Sequence, residues 1–209
     1  KKEKIRAVGK KRAEKLVETA AKSIGSCEGL VSAEIELKML LEDYERKMQQ
    51  YEKLMALIES LALEIPGFDK LLGIKGIGLI TAAGFVAEIG DVSRFSHPKQ
   101  IQKLAGLSLK ENSSGKHRGK TTICKRGRKR LRYYLTFGIM PLLSKNEEFR
   151  ELHHYYTTRK ENPLKKMQSL VALSNKVIRV FYALLTKNVA YDPQKMLSDI
   201  KREEVLIAA

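Results

Sequence analysis

Residues 68–90 read FDKLLGIKGIGLITAAGFVAEIG, and this stretch decides the fold. An apolar run precedes Gly76-Ile77-Gly78, and a helix pattern rich in small residues follows. Glycine is needed where a backbone turns sharply or comes close to another group. A helix starting just after such a turn offers unpaired N–H groups and a positive dipole end to an anion. The pattern fits a helix-hairpin-helix, which would bring Gly76 and Gly78 against a phosphate backbone. A tight helix–helix turn with no ligand carries the same pattern.

On the N-terminal side, residues 30–65 contain neither Gly nor Pro. Leu37, Leu41, Tyr44, Met48, Tyr51, Met55, Ile58, Ala62 and Ile65 alternate in steps of four and three, a heptad seam. At 1.5 Å per residue the helix is roughly 50 Å long, and Pro66-Gly67 ends it. The seam serves either the long arm of an intramolecular helical hairpin or a dimerising coiled coil. Before it, residues 10–24 predict a short amphipathic helix with Ala13, Leu16, Val17, Ala20 and Ile24 on one face and Gly25 as its stop.

On the C-terminal side, residues 98–107 predict a helix opened by Pro98 and closed by Gly106. Residues 108–122 have no periodicity and are rich in Ser, Gly and Lys, so a loop is expected. Periodicity returns over 123–143 with Ile123, Leu131, Tyr134, Leu135, Gly138, Ile139 and Leu142. Ser144 with Glu147 has capping-box spacing for a helix reaching about residue 159. Asn162-Pro163 is expected to open another, running to Lys187 with Leu170, Leu173, Val177, Val180, Phe181 and Leu184 buried. A frayed or lightly packed tail follows Asp192-Pro193. Strand patterns are absent. The fold expected is all-α: a basic helix (1–28), a coiled-coil-like helix (29–66), a compact helical domain (67–192) and a tail (193–209).

The 209 residues hold 40 Lys+Arg against 24 Asp+Glu, a formal net charge of +16. Residues 110–132 alone hold ten Lys/Arg and one Glu, or +9. A cationic surface so concentrated calls for a polyanionic partner, most simply nucleic acid. A hydrophobic content of 43% excludes a disordered basic tail. No stretch approaches the roughly 18 apolar residues of a membrane span. Cys27 and Cys124 are isolated, and His97, His117, His153 and His154 lack metal-ligand spacing. Secreted disulfide scaffold, membrane protein and zinc finger are thereby excluded.

The segment Asn112-Ser113-Ser114-Gly115-Lys116-His117-Arg118-Gly119 sets two hydroxyls among glycines and cations. A serine attacks a phosphodiester only with a base or metal to take its proton and positive charge to hold the phosphate. Lys116, Arg118, Lys120, Lys125 and Arg126 can supply that charge, and His117 is a nearby base. Ser and Gly are equally ordinary loop formers. Next comes Lys125-Arg126-Gly127-Arg128-Lys129-Arg130-Leu131-Arg132, with six cations in eight positions. Lys125, Arg126, Arg128, Lys129 and Arg130 are candidate phosphate contacts. Tyr133 and Tyr134 follow, suited to base stacking or to a core. Carboxylates are sparse: Glu111 lies beside the loop, with Glu88 and Asp91 upstream, so a metal site made by this chain alone is not expected.

Five blocks, Gly73-Ile74-Lys75-Gly76-Ile77-Gly78, Ala87-Glu88-Ile89-Gly90-Asp91 with Arg94-Phe95, Ala105-Gly106-Leu107, Ser113-Ser114-Gly115 and Lys125-Arg126-Gly127, resemble in order and spacing the C-terminal domain of bacterial insertion-sequence transposases of the IS-110/IS-116/IS-902 family. The resemblance covers about residues 70–192, and the helices before it look like that family's coiled-coil linker. It implies a full protein in which an N-terminal RuvC-like domain, with a DEDD carboxylate set and Mg²⁺, works with this domain and its nucleophilic serine. Aligned from Ala105-Gly106-Leu107, that serine falls on Ser114, with Ser113 its neighbour. The resemblance further implies DNA cutting and rejoining through a serine–DNA link and a structured guide RNA; homo-oligomers joined through the heptad seam and a bacterial cytoplasmic, nucleoid-associated setting are expected alongside. The RuvC-like strands and DEDD carboxylates have no counterpart here, so a C-terminal portion, inactive alone and holding no cofactor, is expected. Two other classes fit the residues: a noncatalytic helix-hairpin-helix nucleic-acid-binding module, and a dimerising helical scaffold that binds RNA.

Overall fold

The computed structural model describes residues 9–25, 28–110, 113–114, 117–118 and 121–197. Its helices are α1 (Lys10–Ala21), α2 (Leu30–Leu63), α3 (Phe68–Leu72), α4 (Leu79–Ile89), α5 (Pro98–Leu104), α6 (Lys129–Lys145), α7 (Glu147–Thr158) and α8 (Lys166–Lys187), with a 3-10 turn at Val92–Arg94. Between α5 and α6 lie four two-residue strands, β1 (Leu109–Lys110), β2 (Ser113–Ser114), β3 (His117–Arg118) and β4 (Thr122–Ile123). The all-α class expected from the sequence is the class that forms.

The chain divides into two units, Lys1–Leu54 and Met55–Ala209, with α2 running across the boundary. In the first unit α1 has no buried residue, and Leu16 and Val17 are exposed. The seam residues Leu37, Leu41, Tyr44, Met48 and Tyr51 are exposed as well, and Ala62 is the one buried residue of α2. Within the first unit, α1 does not bury the first half of the seam.

The second unit is built on α4, α6 and α8. Phe85 of α4 meets Phe181 of α8 edge-on with ring centroids 4.9 Å apart. Leu131, Leu135, Gly138, Ile139 and Leu142 form the buried stripe of α6; Leu173, Val177, Ile178, Phe181, Leu184 and Leu185 form that of α8. Each such aliphatic or aromatic side chain contributes about 1.5–3 kcal/mol by leaving water. α4 and α6 run antiparallel and close. A Cβ on Gly84 would fall 2.7 Å from the Tyr134 ring, and one on Gly138 would fall 2.6 Å from Thr81 Cγ2. Small residues at those two places let the helices meet.

Four expectations are corrected. The aperiodic segment 108–122 contains antiparallel strand pairs. α7 is capped by Asn146, whose Oδ1 accepts from Phe149 N at 3.1 Å, while Ser144 lies inside α6. α8 starts at Lys166, three residues beyond Pro163, with Gln168 Oε1 accepting from Lys165 N. The tail is packed as far as it is described: residues 193–197 are helical and Met196 is buried in the core. In addition, α8 is long and apolar enough to cross a membrane by length and composition, contrary to the sequence expectation; half of that stretch is buried inside this unit.

Candidate nucleic-acid interface

The base of the strand segment is a clasp between two short pieces of backbone. α5 ends at Ala105 and Gly106, where Gly106 takes φ +69. The chain returns through Lys125, Arg126 and Gly127, the last at φ +140. Lys125 N donates to Gly106 O at 2.9 Å, Arg128 N to Leu104 O at 2.7 Å, and Cys124 N to Ser108 O at 2.8 Å. A Cβ on Gly127 would sit 2.3 Å from Leu104 O, and one on Gly106 would sit 2.7 Å from Arg126 O. Only glycine fits both the contact distance and the positive φ at these two positions.

Two arginines lock the clasp. Arg132 reaches back one turn along α6, and its guanidinium donates to Ala105 O at 2.8 Å and Lys125 O at 3.4 Å. Arg128, the N-cap residue of α6, donates to the backbone carbonyl of Glu88 and pairs with the Glu88 carboxylate at 3.8 Å. Glu88 lies in the last turn of α4, where carbonyls lack intrahelical donors, so a guanidinium there satisfies both the hydrogen bond and the helix dipole. Nearby, Asp91 Oδ1 and Oδ2 accept from Ser93 N and Oγ. The Ser93 hydroxyl is the largest cause holding the Asp91 carboxyl below its usual pKa. Among the described residues no three His, Cys, Asp or Glu side chains gather where they could hold a metal ion, so the described residues do not fit a Mg²⁺ site.

Above the clasp, β1 pairs with β4 (Leu109 with Ile123, Lys110 with Thr122) and β2 with β3 (Ser113 with Arg118, Ser114 with His117). The two ladders are out of phase by one residue. Ser114 and His117 are thus backbone partners, at the end of the segment away from the clasp. The exposed cations gather at the other end. Lys125, Arg126, Lys129 and Arg130 are exposed, and no described residue pairs with their side chains.

Residues 68–154 match the family model described as Transposase IS116/IS110/IS902 family. Over that stretch the chain is similar to the IS116/IS110/IS902 transposases. It is 31% identical over 132 residues to the "Transposase for insertion sequence element IS1111A" of Coxiella burnetii, covering 59% of this chain and 34% of that protein. It is 28% identical over 163 residues to the "Probable family 20 transposase" of Pseudomonas aeruginosa, covering 74% of this chain and 47% of that protein. The chain thus spans about a third to a half of the length of these relatives. The matched stretch holds the clasp, both of its arginines and the four strands.

Within that stretch the structure brings three of the sequence blocks together. Ala105-Gly106-Leu107 and Lys125-Arg126-Gly127 form the clasp, and Glu88 of the Ala87–Asp91 block binds Arg128. Gly76 and Gly78 stand apart from them. A Cβ on Gly76, at φ +103, would fall 2.9 Å from Pro141 O. Gly76 is therefore held against the C-terminal half of α6, roughly 18 Å along that helix from Lys129. Gly78 caps α4 with open space where a Cβ would be. Arg128, a candidate phosphate contact, is instead tied to Glu88. Lys116 and Lys120 lie outside the described residues, and Ser114 and Arg118 are described by their backbone.

Sequence reasoning missed Glu88 and Arg132. Glu88 is one of three carboxylates in residues 66–109, an acid beside a strongly basic segment, and that scarcity was the available signal. Arg132 had none, because its acceptors are backbone carbonyls. Another Ser–His contact, His153 Nδ1 with Ser169 Oγ at 2.8 Å, went unforeseen too. Ser169 is fully buried, so that contact ties α7 to α8.

Proposed function

We propose that this domain holds nucleic-acid phosphates on the exposed cations around the clasp, and that in the full-length transposase Ser114 is the nucleophile of DNA transposition. One observation supports this: three of the sequence blocks meet in the backbone clasp, the Ser113–Ser114 and His117–Arg118 strands lie beyond it in the chain, and beside it stand four exposed cations with no partner among the described residues. In the chemical step Ser114 Oγ forms a bond to phosphorus and one bridging P–O bond breaks. The Oγ proton passes to a base, the departing oxygen takes up a proton, and a second transfer to an incoming DNA hydroxyl releases the serine. Gly78, open at the N-terminus of α4, is a further phosphate contact in a helix-hairpin-helix. Mg²⁺ belongs to carboxylates of a RuvC-like domain in the full-length protein, and a structured guide RNA selects the target. The exposed α2 seam joins two copies. On that reading, Leu41→Asp with Ile58→Asp halves the sedimenting mass without loss of helicity; an unchanged mass removes the seam as an interface.

The test is covalent trapping on a suicide DNA substrate with the full-length protein and its RNA. Ser114→Ala abolishes the protein–DNA adduct and leaves nucleic-acid affinity nearly intact, and Ser113→Ala is far milder. An adduct absent in Ser113→Ala but kept in Ser114→Ala moves the nucleophile by one residue. An adduct kept in both ends the serine mechanism.

A further inference from the structure

α6 has a second stripe that neither the core nor the clasp uses. Arg130, Tyr133, Phe137 and Met140 follow each other at three-, four- and three-residue steps and are all exposed, opposite the buried Leu131–Leu142 stripe. The rings of Tyr133 and Phe137 stack, with centroids 5.5 Å apart and planes 15° from parallel. Tyr133 is 57% exposed and Phe137 60%, so this pair offers its π-faces and edges to solvent. Tyr134, the neighbouring tyrosine, is the one that packs, with its ring over Gly84. The sequence thus splits its two tyrosines, one inward and one outward.

The surroundings identify the occupant. Lys129 and Arg130 sit one helical turn before Tyr133, with Arg126 just upstream and all three exposed. From Asn112 to Asn146 the sequence has ten Lys/Arg and no Asp or Glu. An aromatic pair continuous with exposed cations is complementary to a strand whose phosphates meet the cations while its bases stack. A second copy fits poorly, because it would bring the same stretch of ten Lys/Arg without Asp or Glu up against this one, like charge against like.

We infer that Tyr133 and Phe137 form a stacking platform for unpaired bases of a single-stranded nucleic acid whose backbone is held by Arg126, Lys129 and Arg130. This rests on the proposed nucleic-acid-binding function and adds a site to it. Duplex DNA, whose bases are already stacked, engages the cations alone. Met140 extends the apolar floor under the next base.

The test uses the full 209-residue chain with single strands of about 12 nucleotides, each as DNA and as RNA, and each with bases intact or replaced by abasic units. The strand with bases binds roughly five- to a hundredfold more tightly than the abasic strand of equal charge. Tyr133→Ala with Phe137→Ala removes that difference and leaves duplex affinity and its salt dependence unchanged. Tyr133→Leu with Phe137→Leu keeps the apolar area and also removes it. 2-Aminopurine fluorescence is quenched on binding by the parent and not by either variant. Whichever of DNA or RNA shows the larger difference is the strand the platform suits. Equal binding of abasic and intact strands by the parent, or an undiminished difference in both variants, overturns the platform. A fall in sedimenting mass in the variants overturns it too, by making the stripe a contact between copies. If neutralising Lys125, Arg126, Lys129 and Arg130 weakens binding while bases make no difference, the platform alone fails. If that neutralisation has no effect, the phosphate-binding function fails with it.

Discussion

The inner and outer edges of the segment Lys125–Arg132 carry the same kind of charge in different employment. On the inner edge, Arg128 caps the end of α4 at Glu88, and Arg132 binds Ala105 O and Lys125 O. On the outer edge, Lys125, Arg126, Lys129 and Arg130 are exposed and meet no described partner. A basic run in sequence is thus two populations in space. The inner arginines hold the backbone of the clasp, and the outer cations meet no partner among the described residues. Guanidinium suits the inner task, since a single Nη of Arg132 carries two N–H donors and reaches two carbonyls at once.

The most severe way to break this arrangement is through the backbone that both edges share. Gly127→Ala puts a Cβ into Leu104 O at φ +140. It should lower the unfolding free energy by about 2–4 kcal/mol, read from the shift in urea midpoint. A variant as stable as the parent would mean that the clasp is not tightly closed. Arg132→Ala comes next. It leaves two carbonyls without their donor and should cost about 1–3 kcal/mol, with reduced protection of nearby amides in hydrogen exchange. Arg128→Gln should cost less, about 0.5–1.5 kcal/mol, because the pair with Glu88 is partly in water and the amide can still donate to the carbonyl. If the order of Arg132 and Arg128 is reversed in melting experiments, the clasp is held chiefly from α4 rather than from α5.

The same contrast explains how far the sequence could be read. The helices with one apolar stripe were legible. Leu131, Leu135, Ile139 and Leu142 repeat at the helical period because one side of α6 is buried. Gly106 was legible as the end of α5 because its positive φ closes that helix. The heptad seam of α2 was legible as a helix but not as a partner, since spacing records that a face is apolar and not what covers it. The strand segment was hidden because its ladders are two residues long, too short for alternation to show. Capping failed at Ser144 because Asn146, two residues on, ends one helix and starts the next. The clasp itself could not be read from charge counting: Glu88 and Arg128 are 40 residues apart, and Gly127 matters because a Cβ there would fall 2.3 Å from Leu104 O rather than for its place in a turn motif. The family resemblance located the blocks, while only their three-dimensional arrangement shows how they pack against each other.

The division of the cations is tested most directly by comparing salt dependence of duplex DNA binding in two variants of the same chain. One replaces Lys125, Arg126, Lys129 and Arg130 by Gln; the other replaces Arg128 and Arg132 by Gln. The outer variant should keep the parent melting temperature while the log–log slope of affinity against salt falls by about 0.9 for each phosphate no longer neutralised. The inner variant, assayed below its own lowered melting temperature, should keep the parent slope. Equal reductions of slope in the two variants, or a reduction confined to the inner one, would contradict the account.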